Sequence, residues 1–170
     1  REGLAWFCDE VLPHLLRASP GARLDVAGHE SRAAGVALDG RPGLRLLGPV
    51  ETPWACFSGS VASVVPLRRG AGTRIKILDS LACGRPVVST PAGADGLAVI
   101  GEEHGLYRAA SAVAMARLLA AILADPGPYL AAAMRGRDLV RDSFTWESTT
   151  AGLAEALEKW VARPPRDARR

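Results

Sequence analysis

Residues 66–97 read PLRRGAGTRIKILDSLACGRPVVSTPAGADGL, and this stretch decides the fold. The apolar run 61–65 leads into it and predicts a buried strand that Pro66 ends. Gly70 and Gly72 permit a loop with backbone angles that side chains disfavour. Residues 87–90 read VVST and predict the next strand.

Residues 74–83 predict a helix between these two strands. Thr73 is the expected N-cap, because its hydroxyl can accept a hydrogen bond from an amide of the first turn. The apolar face is expected to hold Ile75, Leu78 and Ala82, widened by Ile77 and Leu81. Gly84 is expected to end the helix in the left-handed conformation, and Pro86 prevents its return.

The order strand, glycine loop, helix, strand is a βαβ unit, with its loop at the carboxyl end of the first strand. Ligands bind at such ends of open parallel sheets, and a helix start offers free amides and a positive dipole end. Four cations lie in or beside this loop: Arg68, Arg69, Arg74 and Lys76. They favour a diphosphate ligand over a neutral one, although a purely structural turn with solvated arginines is the alternative. The loop matches neither the dinucleotide-binding pattern nor a P-loop.

Taken whole, the stretch resembles the donor-site signature of the family 4 retaining glycosyltransferases, which have the GT-B fold. The matching segments are 66–68, 70–79, 84–90 and 93–97. That family usually carries two glutamates eight residues apart in this place. The second falls on Asp79, a shorter carboxylate, and the first falls on Ala71, so it is missing.

The resemblance implies a nucleotide diphosphate sugar as donor substrate, transfer with retention at the anomeric carbon, and no metal. Arg69, Arg74 and Lys76 would offset the charge of the leaving diphosphate, helped by backbone amides at the helix start. Asp79 would accept the ribose hydroxyls, and 48–50 would lie by the base. The donor-binding residues so implied are Arg69, Gly70, Gly72, Thr73, Arg74, Ile75, Lys76, Asp79, Gly48 and Val50. No residue is an evident nucleophile, so no catalytic residue is predicted.

The rest of the chain alternates strands and helices, which predicts an α/β fold with a Rossmann-like parallel sheet and helices on both faces. Strands are expected at 23–27, 44–47 and 106–109, and helices at 4–16, 30–38, 53–58, 112–124, 128–142 and 147–161. The tryptophans Trp6, Trp54, Trp146 and Trp160 are expected in the core. Residues 1–162 then form the donor-binding domain, and 163–170 a disordered basic tail rich in Pro and Arg.

Composition narrows the class of protein. A chain of 170 residues with 48% hydrophobic residues can build one globular core. The aromatic content of 5% and the net charge of +3 argue against nucleic-acid binding. Three widely spaced cysteines form neither a disulfide framework nor a zinc motif, and favour a reducing, cytoplasmic setting. The basic tail leaves a weak peripheral membrane contact open.

By the same resemblance, the chain corresponds to the C-terminal half of a GT-B enzyme, and its first strand, before the helix at 4–16, is expected to be cut away. The acceptor would be held by an absent N-terminal domain, so the isolated chain is expected to be inactive. Two alternatives remain open: a nucleotide-sugar epimerase of GT-B architecture, and a non-catalytic module that binds a nucleotide or a partner chain.

Overall fold

The computed structural model describes residues 2–28, 40–69 and 74–162. Its strands are β1 (Leu24–Ala27), β2 (Leu44–Gly48), β3 (Ser63–Val65), β4 (Val87–Ser89) and β5 (Leu106–Arg108). Its helices are α1 (Glu2–Trp6), α2 (Leu12–Ala18), α3 (Pro53–Ser58), α4 (Ile75–Ala82), α5 (Ala112–Ala124), α6 (Gly127–Ser143) and α7 (Trp146–Val161). Three-residue 3₁₀ helices occupy Ala92–Ala94 and Glu102–His104. The helix expected at 30–38 and the tail at 163–170 lie outside the described residues.

One residue, Pro13, explains the irregular first helix. A π-helical segment, Phe7–Val11, joins α1 to α2, and the amide of Leu12 donates to the Phe7 carbonyl at its end. Proline has no amide to continue the normal α-helical pattern, and the wider turn accommodates that gap without ending the helix. The helix expected at 4–16 is thus confirmed, and Pro13 alters its pitch.

Where the structure describes the chain, all strand pairs are parallel, as predicted, and they fall into two groups. β1 pairs with β2, and β3, β4 and β5 form a second sheet with β4 in the middle. Among the described residues, β1 and β3 are each paired on one side only. The expected parallel sheet is therefore present as two sheets with an interval between β1 and β3.

Helices cover both faces of the three-stranded sheet, which confirms the predicted architecture. Val64, Val88 and Tyr107 lie on one face and belong to a core shared with the N-terminal helix and α5. Val65, Val87 and Leu106 lie on the other, in a core shared with α4 and α6. This alternation is the two-residue period of a strand buried on both faces.

Helix α4 differs in detail from its prediction. Arg74 occupies the N-cap position that was expected for Thr73, and its side chain makes no capping hydrogen bond. The face turned to the core is Ile77, Ser80 and Leu81, whereas Ile75 is 60% exposed. The serine is buried because its hydroxyl accepts from Ser63 Oγ at 2.7 Å and donates to the Arg85 carbonyl at 3.2 Å. Gly84 has a φ of +65°, which confirms the predicted left-handed helix end.

The tryptophan prediction was wrong for three of the four residues. Trp54, Trp146 and Trp160 are 60%, 83% and 71% exposed, and Trp6 is half-buried. Within the described residues no single helix has the length and apolar character to span a bilayer. The pair α5 and α6, bent by 100° at its junction, meets those criteria only when both are counted together.

Candidate functional site

Side-chain hydrogen bonds brace the carboxyl ends of β3 and β4. The hydroxyl of Ser89 donates to the Val65 carbonyl at 3.1 Å, and the Thr90 amide donates to the same carbonyl at 3.2 Å. The Thr90 hydroxyl donates to the Leu67 carbonyl in the segment after β3. Both hydroxyl residues are buried, so these bonds are shielded from water and fix where the chain leaves the sheet.

Gly93 lets the segment after β4 pack closely on this edge. A Cβ at this position would lie 2.4 Å from Ser89 Oγ and 2.7 Å from the Val65 carbonyl oxygen. The Gly93 amide also donates to Thr90 Oγ1 at 3.0 Å. Any side chain here would displace the ends of both strands.

The start of α4 faces the same edge. The Ile77 amide donates to the Arg74 carbonyl at 2.9 Å, so the first-turn amides that remain are those of Ile75 and Lys76. Amides in this position attract an anion, since they carry the positive end of the helix dipole. The helix starts one residue later than predicted: the expected amides were those of Thr73, Arg74 and Ile75, and the remaining first-turn amides of α4 are those of Ile75 and Lys76. Gly70, Gly72 and Thr73 lie outside the described residues.

The four predicted cations have different surroundings. The Arg74 side chain is 7% exposed and donates from Nη2 to the Ala92 carbonyl at 2.8 Å, which ties α4 to the segment after β4. Arg68 lies 5.8 Å from the centre of the Trp6 ring, a cation–π distance. Arg69 and Lys76 are exposed. Arg68 is exposed as well, and among these four cations Lys76 lines the cavity described below.

Asp79 lies one turn after Lys76 on α4 and is half-buried. Burial raises the pKa of its carboxyl group above the ordinary value, and no charge or hydrogen bond in the described part of the chain offsets that burial. A carboxylate that loses water without gaining a partner costs folding free energy. Such groups are found where a ligand supplies the missing hydrogen bonds.

Lys76 and Asp79 line one cavity of about 500 Å³. Val50 after β2 and Gly28 after β1 also line it, so the cavity mouth lies at the carboxyl ends of the strands. Gly48 ends β2 with a φ of +79° and accepts from the Gly28 amide at 2.8 Å, which sets the direction of the segment that carries Val50. The described residues contain no cluster of His, Cys, Asp or Glu that could hold a metal ion.

A family model for glycosyl transferases group 1 matches residues 1–125. The chain belongs to that family. The matched range includes Lys76 and Asp79, so the cavity that they line lies within the glycosyltransferase family region. The match also covers β1 to β5 and ends just after α5.

Known proteins of similar sequence and fold agree with this membership. An uncharacterised 44.6 kDa protein in the cps region of Klebsiella pneumoniae is 30% identical over 112 residues, covering 61% of this chain and 28% of that protein. Sucrose-phosphate synthase from Thermosynechococcus elongatus superposes with a TM-score of 0.69 at 24% identity, over 90% of this chain and 43% of the synthase. Anabaena HepE, solved in complex with UDP, gives 0.71 at 14% identity, over 89% of this chain and 44% of HepE.

A glycosyltransferase from Rickettsia africae gives a TM-score of 0.73 at 13% identity, over 93% of this chain and 45% of that enzyme. These likenesses establish an α/β fold of parallel strands flanked by helices, as in the GT-B glycosyltransferases. The chain spans less than half the length of each of these proteins.

The structure thus brings Lys76, Asp79 and Val50 to one cavity. Arg74 does not line this cavity; it is buried and bonds α4 to the segment after β4. Sequence reasoning missed the residues that shape the edge, namely Ser89, Thr90 and Gly93. Their signal was present: a Ser-Thr pair at a predicted strand end followed by a glycine indicates hydroxyl bonds to the backbone and a close approach.

Proposed function

We propose that this glycosyltransferase domain binds the nucleotide diphosphate sugar donor of a retaining, family 4 type enzyme that transfers a hexose. The observation that carries the proposal is the pair Lys76 and Asp79. They lie one turn apart at the start of α4 and line the same cavity at the carboxyl ends of parallel strands. No metal ion takes part in the proposed binding.

The diphosphate binds at the start of α4. Lys76 and Arg69 supply positive charge, and the amides of Ile75 and Lys76 supply donors aligned with the helix dipole. As the bond to the sugar breaks, negative charge grows on the diphosphate, and the same groups stabilise it. Arg74 acts through the backbone by holding the segment after β4 against the helix start.

Asp79 accepts hydrogen bonds from the two vicinal hydroxyls of the ribose. Its carboxylate is half-buried without a partner, and it lines the cavity from the same helix that binds the diphosphate. The base then lies toward the segment from Gly48 to Val50, on the opposite wall. UDP bound to Anabaena HepE supports a nucleotide ligand for a domain of this fold.

The acceptor is held by a second domain of a longer polypeptide. The chain spans 43–45% of the solved proteins that it resembles, and its last helix leaves a large apolar surface uncovered. That surface consists of Trp146, Leu153, Leu157, Trp160 and Val161, all more than half exposed. The three free cysteines suit a cytoplasmic setting for this reaction.

Calorimetric titration of the chain with UDP, GDP and ADP tests the nucleotide site and identifies the base. The diphosphate that binds best should bind about tenfold or more tightly than its monophosphate, because a charge-assisted hydrogen bond contributes roughly 1.5–3 kcal/mol. Lys76→Met should lose most of that difference. Lys159→Met, which removes an exposed lysine of α7, is the matched control and should leave binding unchanged.

The ribose contact is tested with a 2′-deoxy nucleotide. Asp79→Asn should weaken binding of the normal nucleotide by about five- to thirtyfold and should cost less against the deoxy form. Asp142→Asn on the last turn of α6 is the control for removal of one carboxylate. Strictly additive losses would exclude a contact between Asp79 and the ribose.

One observation favours a second function, a module that binds a nucleotide without turnover. Ala71 stands where the resembled enzymes carry their first glutamate. Assays of sugar transfer by the longer polypeptide distinguish the two, because a non-catalytic module binds the donor and releases no nucleotide diphosphate.

A further inference from the structure

Two arginines hold the segment that follows β4 from its opposite ends. Arg108, the last residue of β5, donates from Nη2 to the Leu97 carbonyl at 2.9 Å and from Nη1 to the Ile100 carbonyl at 3.0 Å. Arg74 bonds the beginning of the segment to the start of α4. We call residues 92–100 the edge segment, and these bonds fix it to α4 at its beginning and to β5 at its end.

The edge segment has a packed side and an exposed side. Leu97 and Ile100 are 5% and 0% exposed, in the core shared with α4 and α6. Asp95 and Gly96, which precede them in the chain, are exposed. At Gly93 the segment lies on the ends of β3 and β4, so its exposed residues lie at the carboxyl edge of the sheet.

The contact made by Arg108 is suited to fixing a backbone in place. Its guanidinium is planar and holds its donors in a rigid arrangement, so two nitrogens reach two carbonyls at once. Hydrogen bonds from a charged donor are stronger than those between neutral groups. The side chains of Leu97 and Ile100 anchor the segment in the core, and Arg108 sets the direction of the backbone that joins them.

The proposed donor complex brings the sugar beside the edge segment. In that complex the ribose lies at Asp79 and the base lies toward Val50, so the nucleoside extends from the start of α4 in one direction. The sugar is attached to the other end of the diphosphate and therefore extends away from Val50. The edge segment lies on that side, because it follows β4, which pairs with β3, whereas Val50 follows β2 in the other sheet.

We propose that Arg108 is a positioning residue for the donor sugar, and that it acts by fixing the edge segment. The carboxylate of Asp95 and the backbone at Gly96 then supply hydrogen bonds to the sugar hydroxyls. Arg108 acts through the carbonyls of Leu97 and Ile100 and makes no contact with the sugar. The inference rests on the proposed function, since it requires a nucleotide sugar at the start of α4.

A second arginine makes the same kind of contact at the opposite edge of the sheet. Arg135 of α6 donates from Nε to the Glu103 carbonyl at 2.8 Å and from Nη1 to the Ala131 carbonyl at 3.2 Å. Glu103 precedes β5, so this contact lies at the amino end of the strand whose carboxyl end carries Arg108. Arg135 is therefore a matched control, because its loss also removes two charge-assisted bonds to carbonyls.

Calorimetric titration of four proteins tests the proposal: the wild-type chain, Arg108→Met, Arg108→Lys and Arg135→Met. The ligands are the nucleoside diphosphate selected by the titrations above and its glucose, galactose and mannose conjugates, of which the tightest binder is used. The measured quantity is the Kd of the conjugate divided by the Kd of the free diphosphate. A general loss of stability changes both Kd values alike, whereas displacement of the edge segment weakens binding of the conjugate alone.

Arg108→Met should raise this ratio about tenfold, and it should change the Kd of the free diphosphate by less than about twofold. Arg108→Lys should raise the ratio less, because an ammonium group lacks the fork of donors and keeps one of the two bonds. The lysine variant also decides the question by the same ratio if the methionine variant does not fold. Arg135→Met should leave the ratio unchanged.

Hydrogen exchange without ligand shows whether Arg108 acts through the edge segment. The Leu97 and Ile100 amides donate to the Ala94 and Leu97 carbonyls, and the Val87 amide of the buried strand β4 donates to a backbone carbonyl as well. In Arg108→Met the first two amides should exchange about fivefold or more faster relative to Val87 than in the wild type.

The possible outcomes separate this inference from the proposed function. An unchanged ratio in Arg108→Met, or equal losses for the free diphosphate and its conjugate, would overturn the inference and leave the nucleotide site standing. A ratio raised equally by Arg135→Met, or raised in Arg108→Met without faster exchange at Leu97, would also overturn it. Absence of nucleotide binding by the wild-type chain would refute the proposed function, and the role of Arg108 toward a sugar would be refuted with it.

Discussion

The two sheets of this domain are held together in different ways. The three-stranded sheet has buried side chains on both faces and hydroxyl bonds at its edges, and its central Val87 and Val88 are fully buried. The two-stranded sheet is half-exposed, and the side chains that link its strands are Arg45 and Asp25, an ion pair open to solvent. Stability therefore concentrates in the sheet that carries α4, and the β1–β2 sheet depends more on what packs beside it.

This difference has a consequence for the candidate site. Lys76 and Asp79 belong to the firmly packed side, and Val50 belongs to the loosely packed side across the cavity. A ligand that touches both walls would bridge them. We therefore expect the diphosphate subsite to be formed in the free domain, and the base subsite to tighten when the ligand binds.

The largest expected effect comes from truncating one leucine beside each of the two sheets. Leu81→Ala removes a fully buried side chain of α4 and should cost about 2–5 kcal/mol of unfolding free energy. Leu46→Ala removes a half-buried side chain of β2 and should cost about 1 kcal/mol. Urea denaturation measures both. Similar losses would mean that the two sheets contribute equally to one core.

The next test adds a methyl group on each side. Gly93→Ala places a Cβ against Ser89 and the end of β3, and overpacking of this kind costs about 1–3 kcal/mol. It should also weaken nucleotide binding, since the edge moves. Gly21→Ala, just before β1, meets nothing within 4 Å and should change stability by less than about 0.5 kcal/mol. Unchanged stability of the Gly93→Ala variant would show that the ends of β3 and β4 shift to accommodate the methyl group without a free-energy cost.

Features of the fold that depend on neighbouring residues in the sequence were predicted, and features that depend on contacts distant in the sequence were not. The βαβ unit follows from short-range signals, and Gly84, Pro53 and Ser111 do in the structure what turn and cap chemistry requires. The face of α4 was predicted in part: Ile77 and Leu81 are buried as expected, whereas Ile75 is exposed. Ser80 was left out of the predicted face because a serine counts as polar in any pattern. Its burial depends on Ser63, a partner seventeen residues away in the chain.

The site was predicted in the same uneven way. Lys76 and Asp79 could be chosen from the motif, and they line the cavity. The burial of Arg74 could not be predicted from the sequence, because a cation at a helix start contacts solvent or a ligand in most proteins. Its guanidinium donates to the Ala92 carbonyl, a contact that depends on how the segment after β4 packs against α4. The exposed tryptophans of α7 were misassigned because composition does not show which partner covers a helix.

The smallest expected effect has the opposite sign, and it concerns Asp79 on the wall of the cavity. Burial raises the pKa of its carboxyl group, so the charged form is disfavoured in the folded chain relative to the unfolded chain. Above the folded-state pKa the wild-type chain bears this cost in full. As the pH falls through that pKa the group takes up a proton in the folded state first, and the cost disappears.

Asp79→Asn keeps the shape and removes the charge, so it should raise the melting temperature of the ligand-free domain by about 1–3 °C at neutral pH. The gain should shrink as the pH is lowered, and Asp142→Asn, which breaks an exposed ion pair, should show no such gain. With saturating nucleotide the order should reverse, because the wild-type chain gains more from the ligand than the variant does. A variant that is less stable than the wild type at neutral pH without ligand would show that Asp79 serves the fold, and the ribose contact would lose its physical basis.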